Sequence, residues 1–255
     1  MSKLDHALYE IHHMDTLANR DQWMNRIHPL VKLALTVIYI AVTVSFHKYD
    51  LTGLLRMGIY PIALFILGDV SFRDALRRLR IVLPLVCFVG LFNPLFDRQP
   101  ALTAGRFVIT AGMISMLTLM VKGIYSVLAA YLLIASTTIE KICYAMRLLH
   151  IPGIIVTQIL LTYRYVSVLL SEANRITQAY SLRAPKQKGV HFKVWGSLAG
   201  QLLLRSMDRA NDVYESMTLR GFHGTFFYGG KTAPGSRDIL WLVCWLILFL
   251  LLKLI

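Results

Sequence analysis

Acidic side chains are scarce here: 14 Asp and Glu stand against 27 Lys and Arg in 255 residues, a formal net charge of +13. Charge of either sign is thin, at 16% of residues, whereas 56% are hydrophobic. An ordinary soluble domain is therefore excluded, and an integral membrane protein is the class to test. Cysteine is rare too. Cys87, Cys143 and Cys244 are an odd number without CxxC spacing, so they read as small apolar fillers and not as a disulfide frame or metal site. The sequence has no G-x-x-x-x-G-K-[ST] phosphate loop, which removes a nucleotide-binding site of that type from this chain. No Ser/His/Asp, Cys/His or paired-carboxylate constellation stands out at a span boundary. The opening segment, residues 1–29, holds Asp5, Glu10, Asp15 and Asp21 and so does not read as a cleavable signal peptide.

Long apolar runs are plentiful. A helical span needs roughly 17–25 mostly apolar residues. Five stretches are candidates: Leu30–Phe46, Leu51–Leu67, Ile81–Phe96, Phe107–Ala135 and one anchored by Trp241–Leu252 that begins near Ile239. Gly112, Lys122 and Gly123 are able to break the fourth. The loop from Asp69 to Arg80 carries Arg73, Arg77, Arg78 and Arg80, and residues 137–237 hold 13 Lys and Arg against 5 Asp and Glu, a net +8. With the N-terminus inside, five spans put both basic regions in the cytoplasm and the C-terminus outside. That bias accounts for a pI near 9.9 without a nucleic-acid partner. Lys32, Arg56, Arg106 and Lys122 fall close to span ends, where a long side chain snorkels to the interface.

Residues 137–237 read as helices. Thr137-Thr138-x-Glu140 is a capping box, opening a short amphipathic helix with Ile142, Ala145, Met146 and Leu149 on one face. Pro152 suits the first turn of the next helix. That helix begins as apolar as a span, then keeps a stripe at Val166, Leu169, Ala173, Ile176 and Tyr180 before Arg183. A second stripe, Trp195, Ala199, Leu202, Ser206, Ala210, Val213 and Met217, reaches Arg220. Spacings of three and four are the seam of a helix packed along another helix. The two ends echo each other at an offset of 37 residues. Ala173-Asn174-x-Ile176-x-x-Ala179-x-Ser181-Leu182-Arg183-Ala184 returns as Ala210-Asn211-x-Val213-x-x-Ser216-x-Thr218-Leu219-Arg220-Gly221. A single arginine at a helix end is accounted for by the helix dipole. Two copies of one pattern point instead to guanidinium groups presented to two similar acidic grooves. The expected fold is all-α and polytopic: about five transmembrane helices plus a cytoplasmic module of one short and two long crossed helices. The divisions expected are 1–29 (cytoplasmic), 30–136 (spans one to four), 137–237 (the module) and 238–255 (the last span).

The paired Leu-Arg-Ala and Leu-Arg-Gly ends resemble the twin Ala-Arg-Gly-type signatures of the transmembrane coupling (T) component of energy-coupling-factor (ECF) importers. Pro29-x-x-Lys32, Thr137-Thr138-x-Glu140 with Leu148-Leu149-His150-Ile151-Pro152, and Arg220-Gly221-Phe222 with Gly224 match as well. Ser181-Leu182 and Ala184-Pro185 depart from the usual alanine and glycine. The N-terminal residues look like the cobalt/nickel branch. The resemblance implies a non-catalytic subunit without a cofactor, partnered by two ABC ATPases, a substrate-binding membrane S component (CbiM-like) and the lipid bilayer. It places ATPase docking at Leu182, Arg183, Ala184, Leu219, Arg220 and Gly221. Leu169, Ala173, Ile176, Tyr180, Leu202, Ala210, Val213 and Met217 then form the seam between the coupling helices. Cobalt ion is the expected solute; nickel or a vitamin-specific S component is the alternative, and a membrane-embedded lipid enzyme is the rival of another class. His6, His12 and His13 read as part of an amphipathic cytoplasmic segment, because adjacent histidines lack the i, i+4 spacing that chelates on one helix face.

Overall fold

The computed structural model describes residues 9, 15–16, 18–19, 23–68, 71–96, 100–104, 107–185, 189–224 and 234–254. The chain forms two compact units, one of 17–138 with 232–255 and the other of 1–16 with 139–231. The first unit holds α1 (Trp23–Arg26), α2 (Pro29–Ser45), α3 (Leu51–Arg56), α4 (Ile59–Gly68), α5 (Phe72–Gly90), α6 (Phe92–Phe96), β1 (Pro100–Ala104), β2 (Phe107–Thr110), α7 (Ala111–Ser136) and α11 (Ser236–Leu254). The second holds α8 (Ile139–Leu148), α9 (Gly153–Arg183) and α10 (Phe192–Leu219). The fold is all-α and polytopic, apart from one short antiparallel hairpin in which Ala104 faces Phe107 and Leu102 faces Ile109.

By length and composition Leu51–Gly68, Ala111–Ser136 and Gly153–Arg183 can each cross a membrane, and Pro29–Ser45 is apolar but shorter. The five stretches read as spans fall on α2, α3 with α4, α5 with α6, α7, and α11; α5 and α11 are not among the helices that qualify by length and composition, whereas Gly153–Arg183, expected in the cytoplasmic module, is. The starts of the five stretches differ from expectation in three places. Arg73, Arg77, Arg78 and Arg80 are not in a loop: α5 already begins at Phe72, because Ala75 and Leu79 fall on one face and are buried. The fourth span starts at Ala111, since Phe107–Thr110 is strand, and Gly112, Lys122 and Gly123 leave α7 unbroken. The last begins at Ser236, earlier than Ile239.

Specific contacts fix the helix directions within the first unit. At one end the His28 amide donates to Asp238 Oδ1 (3.2 Å), Lys32 Nζ donates to the Ser136 carbonyl (2.9 Å), and the Arg78 guanidinium lies 5.1 Å from the Tyr131 ring centre. At the other end Lys253 Nζ meets Ser45 Oγ (3.2 Å), and Lys122 Nζ donates to the Val44 (3.0 Å) and Phe46 (2.5 Å) carbonyls. Tyr39 in α2 reaches back to the Met57 carbonyl at the α3–α4 break. So α2, α5 and α11 run one way, and α3–α4 and α7 the other. That is the alternation five successive spans require. It gathers the arginines of α5, the start of α2, the end of α7 and the start of α11 at one end of this unit.

Two lysines correct the sequence expectation. Lys32 does not snorkel; it is 7% exposed and buried against the end of α7. Lys122 stands mid-helix in α7 and caps the last carbonyls of α2. Each satisfies carbonyls that a helix leaves without an intrahelical partner. Packing between them is aromatic and close: Tyr39, Tyr60, Trp245 and Phe249 stack with centroids 4.4 Å (Tyr39–Tyr60) and 4.9 Å (Tyr60–Trp245) apart. In lipid such contacts carry helix association, because apolar burial alone brings no gain there.

Candidate functional site: the paired helix tips

The 31 residues of α9 and 28 of α10 make rods roughly 46 Å and 42 Å long at about 1.5 Å per residue. Pro152 precedes the first turn of α9, and His191 Nδ1 accepts from the Lys193 amide at the start of α10. Glu172 and Arg205 form an ion pair between the helices. Next to it the rods part into a cleft of about 720 Å³, lined by Ile154, Leu161 and Leu169 of α9 and by Ala210, Val213 and Met217 of α10. The N-terminal half of α9 therefore faces the C-terminal half of α10. The rods are antiparallel.

The seam is looser than the heptad-like spacing suggested. Ile176 is buried, and Leu169, Ala173, Tyr180, Leu202, Val213 and Met217 are half-buried, but Ala210 is exposed and no residue of α10 is fully buried. At the start of α10 the less exposed row is Val194, Leu198, Leu202 and Ser206; Trp195 is 59% exposed and Ala199 is exposed too. A row spaced by four belongs to ridges-in-grooves crossing, which touches over a short length and then diverges. Periodicity alone did not distinguish that from a supercoiled seam.

Both arginines stand at helix ends, but the ends are built differently. Arg183 is the last residue of α9; the Ala184 amide donates to the Tyr180 carbonyl (3.0 Å), and Pro185 follows. Arg220 is the C-cap of α10. There Gly221 takes φ +79°, its amide bonds the Thr218 carbonyl (2.9 Å), and the Phe222 amide bonds the Met217 carbonyl (3.0 Å). This paired closure is a Schellman ending, which needs the left-handed residue that glycine supplies. Leu182 and Leu219 are 82% and 89% exposed beside their arginines. Among the described residues neither guanidinium pairs with a carboxylate. Arg220 lines a cavity with Arg164 of α9, and Arg164 lies 19 residues before Arg183 on one unbroken helix. The tips therefore point from opposite ends of the pair, about 28 Å apart along α9.

Local structure supports this arrangement. In α8, Ala145 is buried and Ile142 and Met146 are half-buried, as the expected face requires; Cys143 is buried beside them, and Leu149, just past the helix end, is exposed. Burial, with Glu140 one turn earlier, pushes the Cys143 thiol up from its ordinary value. Tyr163 donates to Asp15 Oδ1 (2.7 Å), tying the N-terminal segment to α9; nothing in the local sequence signals that contact. His6, His12, His13, Arg106 and the stretch 225–233 lie outside the described residues. Among the described residues no cluster of three metal-ligating side chains occurs.

A family model described as cobalt transport protein (CbiQ) matches residues 20–228. The chain belongs to the cobalt transport protein family. The paired signatures point to the T components, and one relative bears a name of that kind. The energy-coupling factor transporter transmembrane protein EcfT of Listeria innocua is 24% identical over 246 residues, covering 87% of this chain and 86% of the relative. A protein of Methanocaldococcus jannaschii named MJ1571 is 23% identical over 244 residues, covering 91% and 82%. Within the cobalt transport protein family match lie both tips, all of α9 and α10, and α2 with Lys32.

Proposed function

We propose that this chain is the transmembrane coupling subunit of an ECF-type importer, non-catalytic itself, and that it passes the conformational change of two ABC ATPases to a substrate-binding S component. The exposed Leu182-Arg183 and Leu219-Arg220 tips carry the reading. A leucine more than four-fifths exposed next to an arginine that meets no carboxylate among the described residues, twice, at opposite ends of one antiparallel pair, is a surface made to be covered. Each arginine enters an acidic groove of one ATPase and pairs bidentately with a carboxylate, and its leucine packs on the groove wall. ATP-driven closure changes the distance between the grooves. Stiff rods joined by the Glu172–Arg205 ion pair convert that change into a change of crossing angle, a two-state lever.

In this reading residues 137–237 are the cytoplasmic coupling module, 1–29 lie on the same side, and 30–136 with 238–255 are the spans. The apolar first half of α9 lies at the membrane face and meets the S component. The solute is cobalt ion, supported by the family description, with nickel next. Gentle detergent purification of the tagged chain from its native cell tests the assembly. Two ATPase copies and one small membrane partner are expected in the eluate; a chain that elutes alone and transports by itself contradicts it. Uptake of Co²⁺ against Ni²⁺ and vitamins then decides the solute.

A further inference from the structure

Lys32 belongs to the Pro29-x-x-Lys32 motif, yet the docking tips make no use of it. An ammonium group held at 7% exposure within a transmembrane bundle is costly and persists where its partner is fixed. Here the partner is the carbonyl of Ser136, the last residue of α7, at 2.9 Å. That end has the negative pole of the helix dipole and orphan carbonyls, so a cation is the complementary group. The node extends further: Ser136 Oγ lies 3.3 Å from the Leu133 carbonyl and 3.4 Å from Thr137 Oγ1, and both residues are buried. Met24, Ile27, Leu35, Leu64 and Trp241 close around it. The boundary between the two compact units falls between Thr138 and Ile139, just past the carbonyl that Lys32 holds. Lys122 supplies a natural control, because it makes the same kind of cap on α2 at the far end of the bundle, away from that boundary.

We propose that Lys32 is a positioning residue for energy coupling: it clamps the end of α7 as the fixed side of a pivot at Thr137–Thr138, against which the module from Ile139 onward is turned. Without the clamp the end of α7 yields, and motion that starts at the ATPases is spent in local give. The inference rests on the coupling function proposed above.

The test uses the whole complex in liposomes, with Lys32→Met, Lys32→Arg and Lys122→Met beside the wild type. Four quantities are read: ATPase retention, ATP hydrolysis, Co²⁺ taken up per ATP, and the nucleotide-driven distance change between spin labels at Val44 and Leu148. Lys32→Met is expected to keep both ATPases and hydrolysis, while uptake per ATP falls about tenfold and the distance change shrinks. Lys32→Arg restores part of both. Lys122→Met lowers the Tm with the ratio unchanged. Wild-type coupling and distance change in Lys32→Met overturn the proposal, and so does equal uncoupling by Lys122→Met, which reduces Lys32 to general bundle stability. A wild-type complex that hydrolyses ATP without Co²⁺ uptake counts against the solute alone, and the label distances still decide on Lys32. If no ATPase accompanies the wild-type chain, the coupling reading fails and the role of Lys32 with it.

Discussion

His150 sits at φ 62°, the left-handed region where a side chain is strained, just where α8 must stop before Pro152. Its amide bonds the Arg147 carbonyl (3.0 Å) and the Ile151 amide bonds the Met146 carbonyl (3.3 Å), so histidine occupies the place glycine usually takes. His150→Gly is therefore expected to stabilise the module by up to about 1 kcal/mol and His150→Val to destabilise it, read by thermal unfolding in detergent. A loss of stability with glycine would mean that the imidazole makes contacts outweighing the strain. Cys143 tests burial in a different way. Its raised pKa keeps the thiol protonated at pH 7, and the thiolate is the reactive form. Maleimide labelling of the folded chain at Cys143 should be slow at pH 7 and quicken as pH rises; fast labelling at neutral pH would show that α8 is open. Neither feature was legible beforehand. A Leu-Leu-His-Ile-Pro run does not announce which residue turns left-handed, and an isolated cysteine shows only that it is small.

Elements meet where side chains are absent. A Cβ on Gly123 of α7 would stand 3.1 Å from Val86 Cγ2 of α5, so these helices approach as closely as glycine permits. Gly123→Leu should wedge them apart and cost about 1–3 kcal/mol, seen as a lower unfolding temperature; a neutral effect would mean that α5 shifts freely. The two tips differ at the same scale. Gly221→Val forbids the φ +79° ending and is expected to loosen the second tip, lowering retention of one ATPase in pull-down. Ala184→Gly at the first tip, where φ is −128°, should leave docking as it was. Equal losses from both changes would contradict the asymmetry. The sequence echo predicted two arginine-tipped helix ends, and both are there. Their different closures were already visible as Ala184-Pro185 against Gly221. The antiparallel setting and the cleft were not, because periodicity reports one face of one helix and says nothing of crossing angle.

Across the whole molecule, the apolar helices were legible because long runs with few charges have few other uses in a chain with so little charge. What misled was Phe72–Arg80: four arginines suggested a loop, although Ala75 and Leu79 were spaced to bury one face of a helix. Lys32 and Lys122 were misread for a related reason. Snorkelling is the default for a lone lysine, and only the fold reveals the helix end each one meets. Counted along α9, the antiparallel rods place the two tips about 28 Å apart, and in the proposed function that separation is what nucleotide-driven closure would alter. The most direct measurement is solute uptake together with ATPase retention for Arg183→Ala plus Arg220→Ala in one chain. Normal membrane insertion with both ATPases lost and uptake abolished is the predicted result; insertion with wild-type retention and uptake would contradict the account.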